Sequence, residues 1–429
     1  MKFIDLFSGI GGFRSALELS GHECIAYSEI DKYAKQSYQA IYDTENEIDL
    51  GDITEISQEY LSRFKEENDI VVGGSPCQSF SLAGGRKGFE DTRGTLFFEY
   101  AKVVKETQPK YFLFENVKGM MSHDKGNTIR VVLETFNELG YYIDFNVFNS
   151  KYYGVSQNRE RIYILGKRKD LVEQPKYHDK TKGKKKFDEI HNWAVDNINY
   201  VELLPPLQTE VTTRLIDVLE DEVDEKYYLS DEKTKKLTLN QDLGKTLAAP
   251  VLTPDRINKS QNGRRFKDDG EPMFTLTAQD RHGIIIDDTQ GYDGVRTYKG
   301  ISPTLRSSRS GLKTIVTPKE ESGEVNQGVV INPLKDKTEY GWHFEQAVYD
   351  PQGITRTVKA NGGSGNIPKT IEGLRIRKLT PLECWRLQGF TDEQFYKAKD
   401  SGVSNSQLYK QAGNSVTVNV VDAIVKELK

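Results

Sequence analysis

Short apolar runs alternating with helix-patterned stretches fill the first 170 or so residues, and this rhythm leaves few folds open. Phe3-Ile4-Asp5-Leu6-Phe7 is broken only by Asp5 and ends at a cluster of glycines. Runs of this kind mark strands buried on both faces, as in parallel sheets. Arg14 to Leu19 has helical character and stops at Gly21, and Cys24-Ile25-Ala26-Tyr27 is followed by a helix from Lys32. Further strands are expected at Ile70-Val71-Val72, Tyr111-Phe112-Leu113-Phe114 and Arg161-Ile162-Tyr163-Ile164-Leu165. Helices are expected over Leu96 to Glu106 and Thr128 to Leu139. This βαβα order predicts an α/β fold with a doubly wound, mostly parallel sheet.

Near residue 170 the rhythm stops. Residues 176–184, running into Lys182-Gly183-Lys184-Lys185-Lys186, read as a solvated hinge rather than a phosphate clamp. Residues 185–372 then form a second, smaller β-rich domain in this reading, with frequent Thr, Gly, Arg and Asp. Four copies of one pattern recur there: Thr246-Leu247-Ala248-Ala249, Thr275-Leu276-Thr277-Ala278, Thr304-Leu305-Arg306-Ser307 and Thr357-Val358-Lys359-Ala360. The first three are evenly spaced, and the second and third lead into Arg281-His282-Gly283 and Arg309-Ser310-Gly311 before further β-like runs. Such an insert either packs on itself or presents Arg and His to a partner. After Leu374 helical patterns return, from Pro381 to Gln388 and from Val416 to Leu428, so residues 374–429 are expected to rejoin residues 1–175.

With 429 residues the chain has room for a large domain and a smaller one. Its three cysteines, Cys24, Cys77 and Cys384, are too few and too scattered for a disulfide framework or a metal site, which points to a reducing cytoplasm. No apolar run is long enough to span a membrane, and the first residues enter a strand pattern rather than a secretory signal. A formal net charge of -5 does not advertise nucleic-acid binding, but phosphate affinity depends on local Lys and Arg.

Two sets of residues carry chemistry. The turn Phe7-Ser8-Gly9-Ile10-Gly11-Gly12-Phe13 follows the first strand, where glycines let the backbone approach a ligand. Glu29, after the second strand, is placed for ribose hydroxyls, and Asp52 in Gly51-Asp52-Ile53-Thr54 for an adenine amino group. The turn lacks the dinucleotide spacing, so an adenosine ligand without pyrophosphate is expected. In the second set, Cys77 lies past the strand at residues 70–72, in the run Gly74-Ser75-Pro76-Cys77-Gln78. An ordinary thiol, with a pKa near ~8.5, needs local help to act as a nucleophile. Glu115-Asn116 closes the next strand, and Arg159 and Arg161 in Gln157-Asn158-Arg159-Glu160-Arg161 point the same way. Thiol, carboxylate and guanidinium at one sheet edge suit addition of a nucleophile to an electron-poor ring.

These runs, in this order, resemble the DNA (cytosine-5-)-methyltransferases. The resemblance rests on residues 5–13, Pro76-Cys77-Gln78, Glu115-Asn116-Val117 and residues 157–161. It continues in Leu379-Thr380-Pro381-Leu382-Glu383, Arg386-Leu387-Gln388-Gly389-Phe390 and Gly413-Asn414-Ser415-Val416. It covers roughly residues 1–170 and 374–429 and departs from the common form in lacking an aromatic residue before Pro76-Cys77.

The resemblance implies that S-adenosylmethionine donates a methyl group to cytosine C5 in double-stranded DNA and leaves as S-adenosylhomocysteine. Cys77 is then the nucleophile at C6, Glu115 holds N3 and the amino group, and Arg161 with Arg159 meets O2. Phe7, Gly9, Gly11, Glu29, Ile30, Asp52, Ile53, Pro76, Leu96 and Asn414 match the cofactor-binding positions. The target base has to be flipped out of the duplex. The segment Ser79 to Thr95 is expected to close over DNA, with Arg86, Lys87 and Arg93 at phosphates and Gln78 or Ser81 filling the vacated stack. Arg281, His282, Arg306 and Arg309 are expected at the groove.

The family further implies a bacterial or phage restriction–modification enzyme, or a solitary methylase, in the bacterial cytoplasm or nucleoid. Any cognate endonuclease would act separately; a β-rich insert with no obvious apolar seam suggests a monomer, and the scattered cysteines suggest no metal. A tRNA cytosine methyltransferase and a non-catalytic DNA-binding relative are the competing readings.

Overall fold

The computed structural model describes residues 1–76, 96–230 and 377–428, together with the backbone of the strand segments 248–252, 282–286, 355–356 and 368–376. The first half alternates β1 (Lys2–Leu6), α1 (Gly12–Leu19), β2 (Glu23–Ser28), α2 (Lys32–Ile41), β3 (Ile48–Asp49), α3 (Gln58–Ser62) and β4 (Ile70–Gly73). It continues with α4 (Leu96–Thr107), β5 (Tyr111–Val117), α5 (Asn127–Glu138), β6 (Tyr141–Asn149), β7 (Gln157–Asn158) and β8 (Glu160–Arg168). Seven of these strands form one sheet in the order β3-β2-β1-β4-β5-β8-β6.

Six strands of the sheet share one direction and β8 runs against its neighbours β5 and β6. The mostly parallel sheet is as the rhythm predicts, whereas the reversal at residues 160–168 is not visible in it. Its reason is chain length. Residues 150–159 are too few for the crossover that a parallel return needs, so the chain turns back and inserts between β5 and β6. The start of β8 therefore lies at the carboxyl end of β5, with Arg161 opposite Val117.

Alternation along the strands feeds a separate core on each face. Phe3, Ile70, Val72 and Leu113 join one, and Ile4, Val71, Phe112 and Phe114 the other. The second core holds an aromatic group in which Phe112 stacks on Phe136 at 4.0 Å. Gly166 makes room for it, since a Cβ there would fall 1.9 Å from the Phe112 ring.

The segment beyond residue 176 is docked rather than free. Buried Asp144 of β6 accepts hydrogen bonds from His178 Nε2 at 2.9 Å and from the amides of Leu203 and Leu204, both at 2.8 Å. The helix α6 (Lys186–Asn197) buries Ile190 and Ala194 in the second core, while Leu215, Val218 and Leu229 join the first. Composition alone assigned residues from 185 onward to the second unit, yet this part packs on the sheet domain. Farther on, β9 (Ala248–Leu252), β10 (His282–Ile286) and β12 (Pro368–Lys378) pair antiparallel, and β11 (Thr355–Arg356) pairs with β7. The Thr residues that open the four repeats lie outside the described residues.

The chain then returns through α7 (Pro381–Arg386), α8 (Asp392–Asp400), α9 (Asn405–Asn414) and α10 (Val418–Val425), whose apolar faces complete the first core. The sequence rhythm indicated α7 and α10. The polar α8 and α9 escaped it because few apolar residues mark their buried sides.

Glu383, fully buried, is the joint of this return. Its carboxylate takes two hydrogen bonds from Arg377, at 2.8 and 2.9 Å, one from the Thr380 amide and one from the Glu220 amide. Replacing Glu383 by Ala removes the carboxylate paired with the buried Arg377, which should cost about 3–5 kcal/mol of unfolding free energy in a denaturant titration. A loss below about 1 kcal/mol would show that the joint carries little.

Candidate active site

The glycine turn after β1 is held open by backbone geometry that only some residues tolerate. Phe7, Gly9 and Gly11 all have positive φ, at 53°, 57° and 82°. The Tyr42 hydroxyl donates to the Gly11 carbonyl at 2.8 Å, and its ring occupies the space a Gly11 Cβ would need. Glu29 closes the other side. One carboxylate oxygen accepts from the Gly9 amide at 2.8 Å and the other from the Asp31 amide at 2.7 Å. Ile30 beside it is 71 % exposed, a large apolar side chain left facing solvent at the rim.

Asp52 is exposed, and one of its oxygens accepts from both the amide and the hydroxyl of Thr54, which holds its carboxyl below the usual range. Ile53 beneath it is buried. Asn414 is exposed at the end of α9, and that helix is fixed to the rim by Lys410, whose ammonium meets Asp31 at 2.5 Å. The chain after it lies directly on the glycine turn, because a Cβ on Gly12 would come within 2.7 Å of Val416 and 2.8 Å of Ser415.

On the neighbouring strands the reversal of β8 creates a buried ion pair. Arg161 Nε lies 3.2 Å from Glu115 Oε1, with both side chains about one-tenth exposed. Burial pushes the Glu115 carboxyl above its ordinary value, and Arg161 and then Arg159 oppose the shift. Arg159 has a different position from its neighbour. Its two terminal nitrogens donate to the carbonyls of Gly413, at 3.2 Å, and Ser415, at 2.6 Å. Arg159 therefore brackets Asn414 and reaches Glu115 through its charge.

Cys77 lies outside the described residues, but the turn that delivers it does not. The Asn116 side-chain amide donates to the Ser75 carbonyl at 2.9 Å. Gly73 and Gly74 let the turn pass between strands, since a Cβ on Gly73 would sit 2.5 Å from the Leu6 carbonyl oxygen. One on Gly74 would sit 2.8 Å from a Glu115 carboxylate oxygen. Asn116 and Gly74 lie in the sequence motifs without an assigned role there, and Gly73 precedes them. Their signal was position, one residue after a strand-end carboxylate and three or four before a thiol.

A buried polar chain locks the later motifs to this edge. Gln157 donates to the Leu387 carbonyl at 2.7 Å, Gln388 to Gln157, and Thr417 to Gln388, while Thr417 and Ser150 share a hydrogen bond of 2.8 Å. Pro76 lies past the end of β4 and Leu96 at the start of α4, so both follow the carboxyl end of that strand. Gln78, Ser81, Arg86, Lys87, Arg93, Arg281, Arg306 and Arg309 lie outside the described residues, and His282 is described only as backbone in β10. No helix among the described residues is long and apolar enough to cross a membrane.

Known proteins resemble this chain over its whole length. The family model for C-5 cytosine-specific DNA methylase matches residues 1–429. The orphan methyltransferase M.SPRI of Bacillus phage SPR is 41% identical, over 100% of this chain and 97% of its own. The type II methyltransferase M.HhaI of Haemophilus parahaemolyticus is 32% identical, over 99% of this chain and 93% of its own. Among solved structures, a prophage-encoded Escherichia coli protein described as a DNA modification methyltransferase shares the fold with a TM-score of 0.52 at 20% identity, covering 100% of this chain and 98% of that one. A Spodoptera frugiperda DNMT2 variant does so at 0.51 and 16% identity, covering 99% and 98%. With ordered motifs, a site built from them and full-length relatives in agreement, the chain belongs to the C-5 cytosine-specific DNA methyltransferases of the phage and restriction–modification type.

Proposed function

We propose that this enzyme methylates a cytosine flipped out of duplex DNA, with Cys77 as the covalent nucleophile and S-adenosylmethionine as the donor. The observation that carries the reading is the buried Glu115–Arg161 pair, beside which Asn116 holds the turn two residues before Cys77. A Cys77 thiolate adding to C6 pushes an electron pair toward C5. Glu115, its carboxyl raised by burial, keeps a proton available for N3 as that charge develops. Arg161 steadies O2, and water is kept out by the closed core behind the pair. After transfer a water molecule takes the C5 proton and Glu115 takes back the N3 proton, so the C5–H electron pair re-forms the C5–C6 double bond and expels the Cys77 thiolate.

The rim at β1 to β3 fits the donor. Each Glu29 oxygen is held by one backbone amide and keeps a lone pair for a ribose hydroxyl. Asp52 keeps its second oxygen for an adenine amino group, and Phe7, Ile30, Ile53, Pro76, Leu96 and Asn414 would line the rest. Bound there, S-adenosylmethionine would supply an electrophilic methyl group to C5. Around the duplex, Gln78, Ser81, Arg86, Lys87 and Arg93 would serve the closing segment, and Arg281, His282, Arg306 and Arg309 the groove. The cytoplasm or nucleoid is the compartment this substrate requires.

Incubation with radiolabelled S-adenosylmethionine and either duplex DNA or tRNA should label DNA alone. Label in tRNA alone, or in neither, contradicts the reading. Gly74→Ala should lower the transfer rate about 100-fold with the fold retained, because the added Cβ displaces Glu115; an unchanged rate would remove Glu115 from the mechanism. Arg161 favours the Glu115 carboxylate, so Arg161→Met should raise that pKa further. Single-turnover rates, though lower overall, should then persist to higher pH than in the wild type. An alkaline limb that stays in place or moves down would show that Glu115 does not act as the protonated partner.

A further inference from the structure

One lysine at the active edge forms no ion pair among the described residues. Lys151 follows β6 and is 2 % exposed, with its ammonium 4.5 Å from the centre of the Tyr152 ring. It has neither an ion pair nor a side-chain hydrogen bond among the described residues. A lysine side chain this enclosed usually has an anionic partner.

Sheet register shows where this charge sits. Arg161 faces Val117 of β5 on one side and Phe148 of β6 on the other, and Glu160 faces Asn149. Lys118 follows Val117, and its ammonium bonds both Glu160 oxygens at 2.9 Å. Lys151 follows on the β6 side, where Glu160 is the charged group acting on it. Glu160 thus faces Lys118 on the β5 side and acts on Lys151 on the β6 side, next to Arg161 in β8, so Glu160 and the two lysines carry one positive charge in excess. The Lys151 turn is fixed to that site, since the Ser150 amide donates to the Arg159 carbonyl at 3.0 Å.

We propose that Lys151 and Lys118, set on either side of Glu160, form a seat for a backbone phosphate of the duplex beside the flipped cytosine. The inference rests on the reading of the protein as an enzyme of duplex DNA and adds a contact that none of its motifs contains. A phosphodiester would supply Lys151 with its missing partner while Glu160 keeps Lys118 oriented. Burial pushes the Lys151 ammonium down to about 8, with Glu160 opposing the shift, so the seat would lose charge as pH rises from 7 to 9.

The test is fluorescence anisotropy of the full chain with a labelled duplex of about 30 base pairs over a range of salt, where one phosphate contact contributes about 0.9 to the slope of log affinity against log salt. Lys151→Met should reduce the slope by about 0.9, weaken binding several-fold and remove the loss of affinity between pH 7 and 9. Glu160→Gln should do the opposite to affinity, since it strips a negative charge from the seat, and it keeps the test open if the Met variant folds poorly. Variants that bind duplex with the wild-type slope and affinity, while the wild type still methylates DNA, would overturn the seat alone. A wild type that neither binds nor methylates duplex would overturn the seat together with the reading beneath it.

Discussion

The active edge depends on a buried ion pair between neighbouring strands that run in opposite directions. Were β8 parallel to β5, the chain around Arg161 would start at the far end of the sheet from Glu115. Because it is reversed, Arg161 stands opposite Val117 and its Nε lies 3.2 Å from the carboxylate. Taking two charges out of water is costly, and the Coulombic gain returns that only with good geometry. The surrounding structure supplies such geometry, through two glycines that admit the turn before Cys77 and an asparagine that holds it.

The C-terminal return completes the site from behind. Arg159 brackets Asn414 through two carbonyls, Lys410 anchors the same helix to the Glu29 side, and the Gln157–Gln388–Thr417–Ser150 chain closes the gap between them. Polar contacts buried this deeply tolerate few arrangements, because each unpaired group would be costly. Distant sequence motifs thus become one unit, and the glycine-turn rim and the Glu115–Arg161 pair are held in fixed relation.

Much of this was legible in the residues. Apolar runs located β1, β2, β4, β5 and β8, and glycines located the turns, because both follow from local backbone and burial rules. Glu115, Arg161, Glu29 and Asp52 could be picked out because polar residues at strand ends have few structural duties. The reversal of β8 was hidden, since an apolar run looks alike in either direction. The division of labour between Arg159 and Arg161 was hidden too, because it depends on carbonyls more than 250 positions away. Docking of residues 186–229 escaped composition for a related reason: a few apolar residues, among them Ile190 and Leu215, do the packing within a polar stretch.

The central claim is that this edge activates Cys77 toward the C6 position of cytosine. The direct measurement is mass spectrometry of the complex formed with duplex DNA carrying 5-fluorocytosine in the presence of S-adenosylmethionine. Fluorine at C5 cannot leave as a cation, so an attacked base should remain joined to the enzyme. The account predicts a denaturant-stable adduct on the peptide containing Cys77. An adduct on Cys24 or Cys384, both buried in the folded chain, or no adduct while ordinary DNA is methylated, would contradict it.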